Sequence, residues 1–429
     1  MSGLLIKNGR VVDPASRVDG IRDLLIVGGK IKDIGSRVGG GGTKAIDAKG
    51  MLVLPGLIDM HAHLRDPGRP DKETIATGTR AAALGGFTSV CCMANTEPPI
   101  DNPAVVKYIR NKAETEGVVN VYPIAAVTKG LKGEVLAEMG LMLEEGAVAF
   151  SDDGNPVMQA DMMRRALEYS RQFGVPVISH CEDKNLSLDG AMNESALSTA
   201  IGLPGIPALS EEIMVARDIR LAKEYGKVHI AHVSSAKSVE LVRQAKRKGI
   251  PVTCETCPHY FSLSEEAVRE YDTNAKVNPP LKSEQDVKAV IKGLKDGTID
   301  VIATDHAPHN IEEKNVEFNL AAFGMVGLET ALALILTKLV DTQALTLKKA
   351  IEKLTVAPAK ILNLDKGSLR IGADADLIIV DPKLEWRVDA TQFASKSRNT
   401  PFNGWKLKGK VLYTIVGGKV VVKDGKLLY

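Results

Sequence analysis

The sequence predicts a (β/α)8 TIM-like barrel carrying a small β-sandwich domain built from both chain termini. Three observations predict it. Between residues 54 and 365, eight apolar, β-rich segments alternate with helical patterns. On either side of that stretch the texture changes to short strands and glycine-containing turns. The histidines, only eight in 429 residues, gather at the ends of the central strands, where a barrel of this type carries its active site.

Residues 1–53 read as strands in LLIKNGRVVD, DLLIVGGKIKDIG and KAIDAKGMLVL, the N-terminal part of the β-domain. The glycine run Gly39 to Gly42 is followed by neither GK[ST] nor a helix, so it reads as a turn and not a phosphate loop. From 54 to 365 the strand candidates are LIDMHAHL, GFTSVCCMA, NVYPIAAV, AVAFSD, VPVISHCE, KVHIAHVS, IPVTCETC and DVIATDHA. Between them NPAVVKYIRNKAETEG, MQADMMRRALEYSRQFG and SAKSVELVRQAKRKG have helical patterns, several closed by glycine. The alternation alone fits a doubly wound sheet as well as a barrel. Residues 366–429 return to strands and tight turns in GSLRIGADADLIIVDP and GKVLYTIVGGKVVVKDGKLLY, the C-terminal part of the β-domain.

Composition excludes several function classes. Charged residues are 25% with a net charge of +2 and no basic run, which argues against nucleic acid as the main partner. Aromatics at 4% leave little for base stacking. No apolar segment reaches the roughly 18 residues of a membrane span. The start MSGLLIKNGR has no signal-peptide core, so a cytoplasmic protein is expected. Five cysteines make no disulfide framework. Cys254 and Cys257 form a CxxC without a second pair, and read as two unrelated buried thiols.

The polar groups at the strand ends carry the chemistry. His61 and His63 are two apart at the end of the first strand, so both rings leave one face. His180 ends the fifth strand and His232 the sixth; Asp153 follows the fourth and Asp305 ends the eighth. Nitrogen and oxygen donors without thiolates suit catalytic zinc. The set exceeds what one tetrahedral ion needs, so one or two ions sharing a carboxylate are expected. Asp305 is read as both ligand and proton carrier. Arg65 continues the parity of His61 and His63, and a guanidinium beside a dication calls for an anion, namely a substrate carboxylate held bidentately. The loop amides of Asn95 and Asn278 could complete that grip. His229, three residues before His232, is expected to face the other way as an ordinary core histidine; His259, in CPHY, is read as a supporting contact.

These residues resemble a family. PGLIDMHAH is similar to the PGxIDxHxH signature of the amidohydrolase superfamily, and GADADLIIVDP to its C-terminal β-domain. In order along the chain, HAHLRDPG, FSDDG, MNES with LPGIPALSEE, KVNPPLKS, DVIATDHAPH, FGMVGLET and NTPFNGWKLKGKV resemble bacterial class I dihydroorotases. The resemblance implies reversible closure of N-carbamoyl-L-aspartate to L-dihydroorotate plus water, in de novo pyrimidine synthesis. It implies His61, His63, Asp153 and Asp305 around a first Zn2+, and Asp153, His180 and His232 around a second. It implies His63, Leu64, Arg65, Asn95, Asn278, His309 and the Phe323–Gly324 backbone at the substrate.

Many members of the superfamily bridge two metals with a carboxylated lysine on the fourth strand. AVAFSDDG has none there, so Asp153 would be the bridge. A hydantoinase or allantoinase is the nearest rival, disfavoured by Arg65 and by that missing lysine. A non-catalytic scaffold for aspartate transcarbamoylase is another, disfavoured because every ligand position is filled. A homo-oligomer, and a complex with aspartate transcarbamoylase, are the expected protein partners. Segments 187–210 and 307–324 are long and polar enough to serve as lids.

Overall fold

The computed structural model describes residues 3–428. Eight parallel strands follow one another in chain order: Leu57–Ala62, Phe87–Cys92, Asn120–Ala125, Ala149–Phe150, Val177–Ser179, Val228–Ile230, Val252–Thr256 and Val301–Ile302. Each lies within one of the eight segments picked out by composition. A parallel bridge between Ala62 and His306 joins the last strand region to the first, and the His63 N–H donates to the His306 carbonyl at 2.8 Å. That closure makes a barrel and rules out the doubly wound alternative.

The wall alternates with period two. Val90, Phe150, Val177, Val228, Ile230, Val252 and Cys254 pack outward into the large core shared with the helices. The residues between them, Cys91, Met93, Ile124, Ala149, Ile178, Ala231, Val301 and Ala303, form a separate cluster within the barrel. Helices Ile75–Gly85, Pro103–Glu116, Ala160–Phe173, Leu209–Tyr225, Ala236–Arg247 and Glu284–Asp296 cover the outside. Their ends follow local chemistry. Asn102 accepts from the N–H groups of Ala104 and Val105, with Pro103 at the first position, where no N–H is missed. Gly86, at φ 88°, turns the first helix into the second strand.

The chain ends make one further sheet. Its order is Lys426–Leu427, Lys419–Lys423, Lys406–Val416, Leu377–Arg387, Leu52–Pro55, Gly3–Asp13, Val18–Val27, Lys30–Gly35, with Lys44–Asp47 also on Gly3–Asp13. Leu52–Pro55 zips the two termini together, parallel to Gly3–Asp13 and antiparallel to Leu377–Arg387. The sheet curls back on itself: the Ile31 N–H reaches the Ala373 carbonyl at 2.9 Å. It encloses its own core of Ile6, Val11, Leu24, Ile26, Val53, Leu377, Ile379 and Ile415. Gly56 hands the chain from this sheet to the barrel. A Cβ there would fall 2.0 Å from Thr88 Oγ1, so only glycine fits.

One stretch departs from the strand-and-turn texture read for the C-terminal part. Between Leu377–Arg387 and Lys406–Val416 the chain leaves the sheet and straps across the barrel. Val388, Phe393 and Phe402 pack with Tyr260, Met325 and Leu334. Asn399 Nδ2 donates to the carbonyls of Ala307 (3.0 Å) and Gly324 (3.1 Å). The two lid candidates carry local structure: Ala196–Ile201 under a Ser195 capping box, a short pairing of Met192–Asn193 with Gly205–Ile206, and the helical turn Ile311–Lys314. The five cysteines are buried and free, Cys254 and Cys257 in different clusters. Among the described residues no helix is long and apolar enough to cross a membrane.

Candidate metal centre

Six side chains converge at the C-terminal rim of the barrel. His61 Nε2 lies 3.4 Å from Asp153 Oδ1 and 3.7 Å from Asp305 Oδ1. His63 Nε2 lies 3.5 Å from Asp153 Oδ2 and 3.2 Å from Asp305 Oδ1. His180 Nδ1 and His232 Nε2 are each 3.5 Å from Asp153 Oδ1 and 2.8 Å from each other. Asp153 therefore stands between all four imidazoles. None of the six is more than 7% exposed.

Backbone conformation explains how they meet. His180 keeps the inward parity of Ile178. Asp305 likewise keeps the parity of Val301 and Ala303, with left-handed backbone at φ 46°, whereas His232 leaves its strand's period and is turned inward by left-handed backbone at φ 34°. Non-glycine residues hold that region at a cost of about 1–3 kcal/mol, and such residues cluster at functional sites. Arg65 shares the feature, at φ 55°. Its expected strand parity therefore fails, because the strand ends at Ala62. The turn instead aims its guanidinium across the mouth: Nε donates to the Pro308 carbonyl and Nη2 stands by His309 Nε2, both at 3.3 Å. The expectation that His229 and His232 face opposite ways fails for the same reason. His229 points inward by parity with Ala231, and His232 is bent inward beyond the strand end.

The donor set fits a cation. His61 Nε2 and Asp153 Oδ1 are buried without a hydrogen-bond partner. His180 Nδ1 and His232 Nε2, 2.8 Å apart, can share a proton as an N–H···N hydrogen bond or turn both lone pairs to one cation. His61, Asp153 and His232, and likewise His61, His63 and Asp305, each offer ligand atoms within 4.8 Å of one another. Burial works against charge on His61, yet Asp153 and Glu255 overcome it and hold its pKa well above the usual imidazole value. Burial would raise Asp153, but His61, His180 and His232 draw it well below the ordinary carboxylate range. A field that holds a proton so firmly also holds a dication. Nitrogen and carboxylate donors without thiolate are the chemistry of a catalytic zinc-type site.

Three of the four imidazoles are gripped on the nitrogen facing away from the centre. His61 Nδ1 pairs with Glu255 Oε1 at 2.6 Å, His63 Nδ1 with Asn95 Oδ1 at 2.8 Å, and His180 Nε2 with Glu182 Oε2 at 3.0 Å. Such contacts fix the tautomer and ring orientation of a ligating histidine. Asn95 thus commits its oxygen to His63, and Asn278 Nδ2 donates to Glu182 at 2.9 Å. Leu64 packs its side chain into the hydrophobic core, which leaves its backbone for any substrate contact. Gly324 commits its N–H to the Lys276 carbonyl and its own carbonyl to Lys314 Nζ and Asn399 Nδ2. What it supplies is close approach, since a Cβ would meet Ala307 at 2.7 Å. His309 accepts from Arg65 and donates Nδ1–H to Glu313 at 2.8 Å; burial and Arg65 push it down to about 3, so the ring is neutral. His259, beside Cys257 and Asp305, is pushed down to about 4 by burial.

Sequence reasoning passed over Glu255, Glu182 and Glu313, and read His229 as an ordinary core histidine. Glu255 left a signal: a carboxylate inside the apolar strand VTCET, where an unpaired charge does not belong. Glu182, at the end of VPVISHCE, and Glu313, in the helical turn Ile311–Lys314, sit among other polar residues and left none.

The comparisons with known proteins agree with this geometry. Residues 52–421 match the amidohydrolase family. A dihydroorotase of Acetivibrio thermocellus is 58% identical over 99% of this chain and 100% of its own length. One of Pelotomaculum thermopropionicum is 60% identical over 98% and 99%. The fold is similar to an L-hydantoinase (dihydropyrimidinase) from Arthrobacter aurescens, with a TM-score of 0.90 at 27% identity over 100% of this chain and 98% of that one. The chain belongs to the amidohydrolase family. Within it, the chain falls among the dihydroorotases.

Proposed function

We propose that this chain is a dihydroorotase, which reversibly cyclises N-carbamoyl-L-aspartate to L-dihydroorotate plus water in pyrimidine (UMP) biosynthesis. The observation that carries the reading is the Arg65–His309 pair at the mouth of the histidine and aspartate cluster. It puts a carboxylate receptor beside a hydrolytic centre.

The resident metal is read as Zn2+, one or two ions, with Asp153 as the bridge in place of a carboxylated lysine. When bound, such an ion polarises an amide carbonyl and lowers the pKa of water. The chain's own residues do the rest. Arg65 holds the α-carboxylate as a bidentate fork and limits the poses of a flexible acyclic acid. Asp305 is held well below the ordinary carboxylate range: burial would raise it, but His63 and His61 outweigh that. It is therefore ionised and can take the water proton in the hydrolytic direction, then deliver it to the leaving ring nitrogen. In the cyclising direction the proton runs back. His309, Asn95, Asn278, the Leu64 backbone and Phe323–Gly324 shape the substrate pocket.

A cytoplasmic homo-oligomer, able to associate with aspartate transcarbamoylase, completes the proposal. The test is metal analysis beside hydrolysis of L-dihydroorotate and of hydantoin, with and without added transcarbamoylase. Turnover of dihydroorotate but not hydantoin is expected; the reverse preference would overturn the substrate assignment.

A further inference from the structure

We propose that Glu255 is a positioning residue for the cation held by His61, His63 and Asp305, and that His229 backs it from below. The inference rests on the metal-site reading above.

Strand Val252–Thr256 places Thr253 and Glu255 on its inward face, and strand Val228–Ile230 does the same for His229. The side chains form a column beneath the site. Thr253 Oγ1 lies 2.8 Å from His229 Nδ1. His229 Nε2 lies 3.2 Å from Glu255 Oε2, off the line of a straight hydrogen bond. Glu255 Oε1 lies 2.6 Å from His61 Nδ1. His61, His229 and Glu255 are all 0% exposed. A carboxylate sealed from water costs several kcal/mol unless it is paired. Among the described residues no lysine or arginine pairs with Glu255; its neighbours there are the imidazoles of His61 and His229.

The short contact goes to His61. It keeps the proton on Nδ1, turns the Nε2 lone pair toward Asp153 and Asp305, and makes His61 a stronger donor. It also places a third negative charge near a centre that lacks a lysine-derived bridge. A core ion pair that served stability alone would not single out one ligand of one cation.

The test uses the metal-free full chain, titrated with Zn2+ against a competing chelator and with Co2+ followed by absorption. His61→Ala and His180→Ala assign the two binding events. In Glu255→Gln, affinity at the His61 event should fall about 10- to 100-fold, while the His180 event stays within about threefold and the Co2+ spectrum of the first event changes. If Glu255→Gln does not fold, His229→Gln keeps the Glu255–His61 contact and should weaken the same event by a smaller factor. Wild-type affinity at the His61 event in the folded variant overturns the proposal, and so does equal weakening of both events. Failure of the unmodified chain to take up any cation through His61 overturns the metal-site reading along with it.

Discussion

On the proposed function, His180, Asp305 and Arg65 would divide the work of the site between holding a cation, moving a proton and holding an acid. His180→Ala removes a nitrogen 3.5 Å from Asp153. Bound metal should fall and turnover drop about 100-fold or more, read by metal analysis beside the assay; unchanged metal content would remove His180 from the ligand set. Asp305→Asn keeps the shape but loses the base, so turnover should drop about 100-fold or more with the melting curve little changed. Arg65→Lys replaces a planar fork by a point charge. It should cost on the order of tenfold in kcat/KM for N-carbamoyl-L-aspartate, and unaffected kinetics would end the clamp assignment.

The strap between the last long strands packs beside the barrel's mouth, with Asn399 on the carbonyls of Ala307 and Gly324. Glu329 anchors it, accepting the N–H groups of Ala394 and Ser395 at 3.1 Å each. Burial pushes the Glu329 carboxyl up to about 7 from an ordinary 4.5, against the pull of those two N–H groups. A carboxyl raised on folding contributes stability that is full below its unfolded pKa and is lost as pH rises through the folded one. The window therefore runs from about 4.5 to about 7, and the loss amounts to roughly 3 kcal/mol at most. Glu329→Gln should flatten this slope, gaining on the wild type between pH 5 and pH 8 in urea unfolding. A parallel pH profile for the two proteins would show that Glu329 titrates normally.

At the scale of the whole molecule, the rim gathers ligands from strands far apart in sequence, so a bound cation ties the barrel together. A ligand that binds only the folded state adds about 2.7 kcal/mol at a hundred times its Kd. Chelation should therefore lower the thermal midpoint, measured by calorimetry, and restored Zn2+ should raise it again. A midpoint that moves neither on chelation nor on restoring Zn2+ would mean that the folded chain holds no such ion, and would overturn the metal-site reading.

Much of this was legible in the chain. Hydrophobic period and turn chemistry located all eight barrel strands, and the two terminal strand regions, because both signals are local. That His61, His63, Asp153, His180, His232 and Asp305 would meet could be read because a barrel exposes chemistry at its strand ends, and their side chains do converge there. Arg65 and His232 show where that reasoning stops: period two holds inside a strand, and both lie just past one, where a left-handed φ re-aims the side chain. The commitment of Asn95 to His63 and the column through Glu255 and His229 join residues whose distance in sequence carries no periodic signal. The sequence by itself determined the alternation of strands and helices, the donor chemistry and the family resemblance, since these follow from residue type and local order. Only the tertiary structure decided that the barrel closes, which nitrogen of each histidine faces the centre, and that the 389–405 strap crosses the mouth, because each depends on contacts between segments that meet only when the chain has folded.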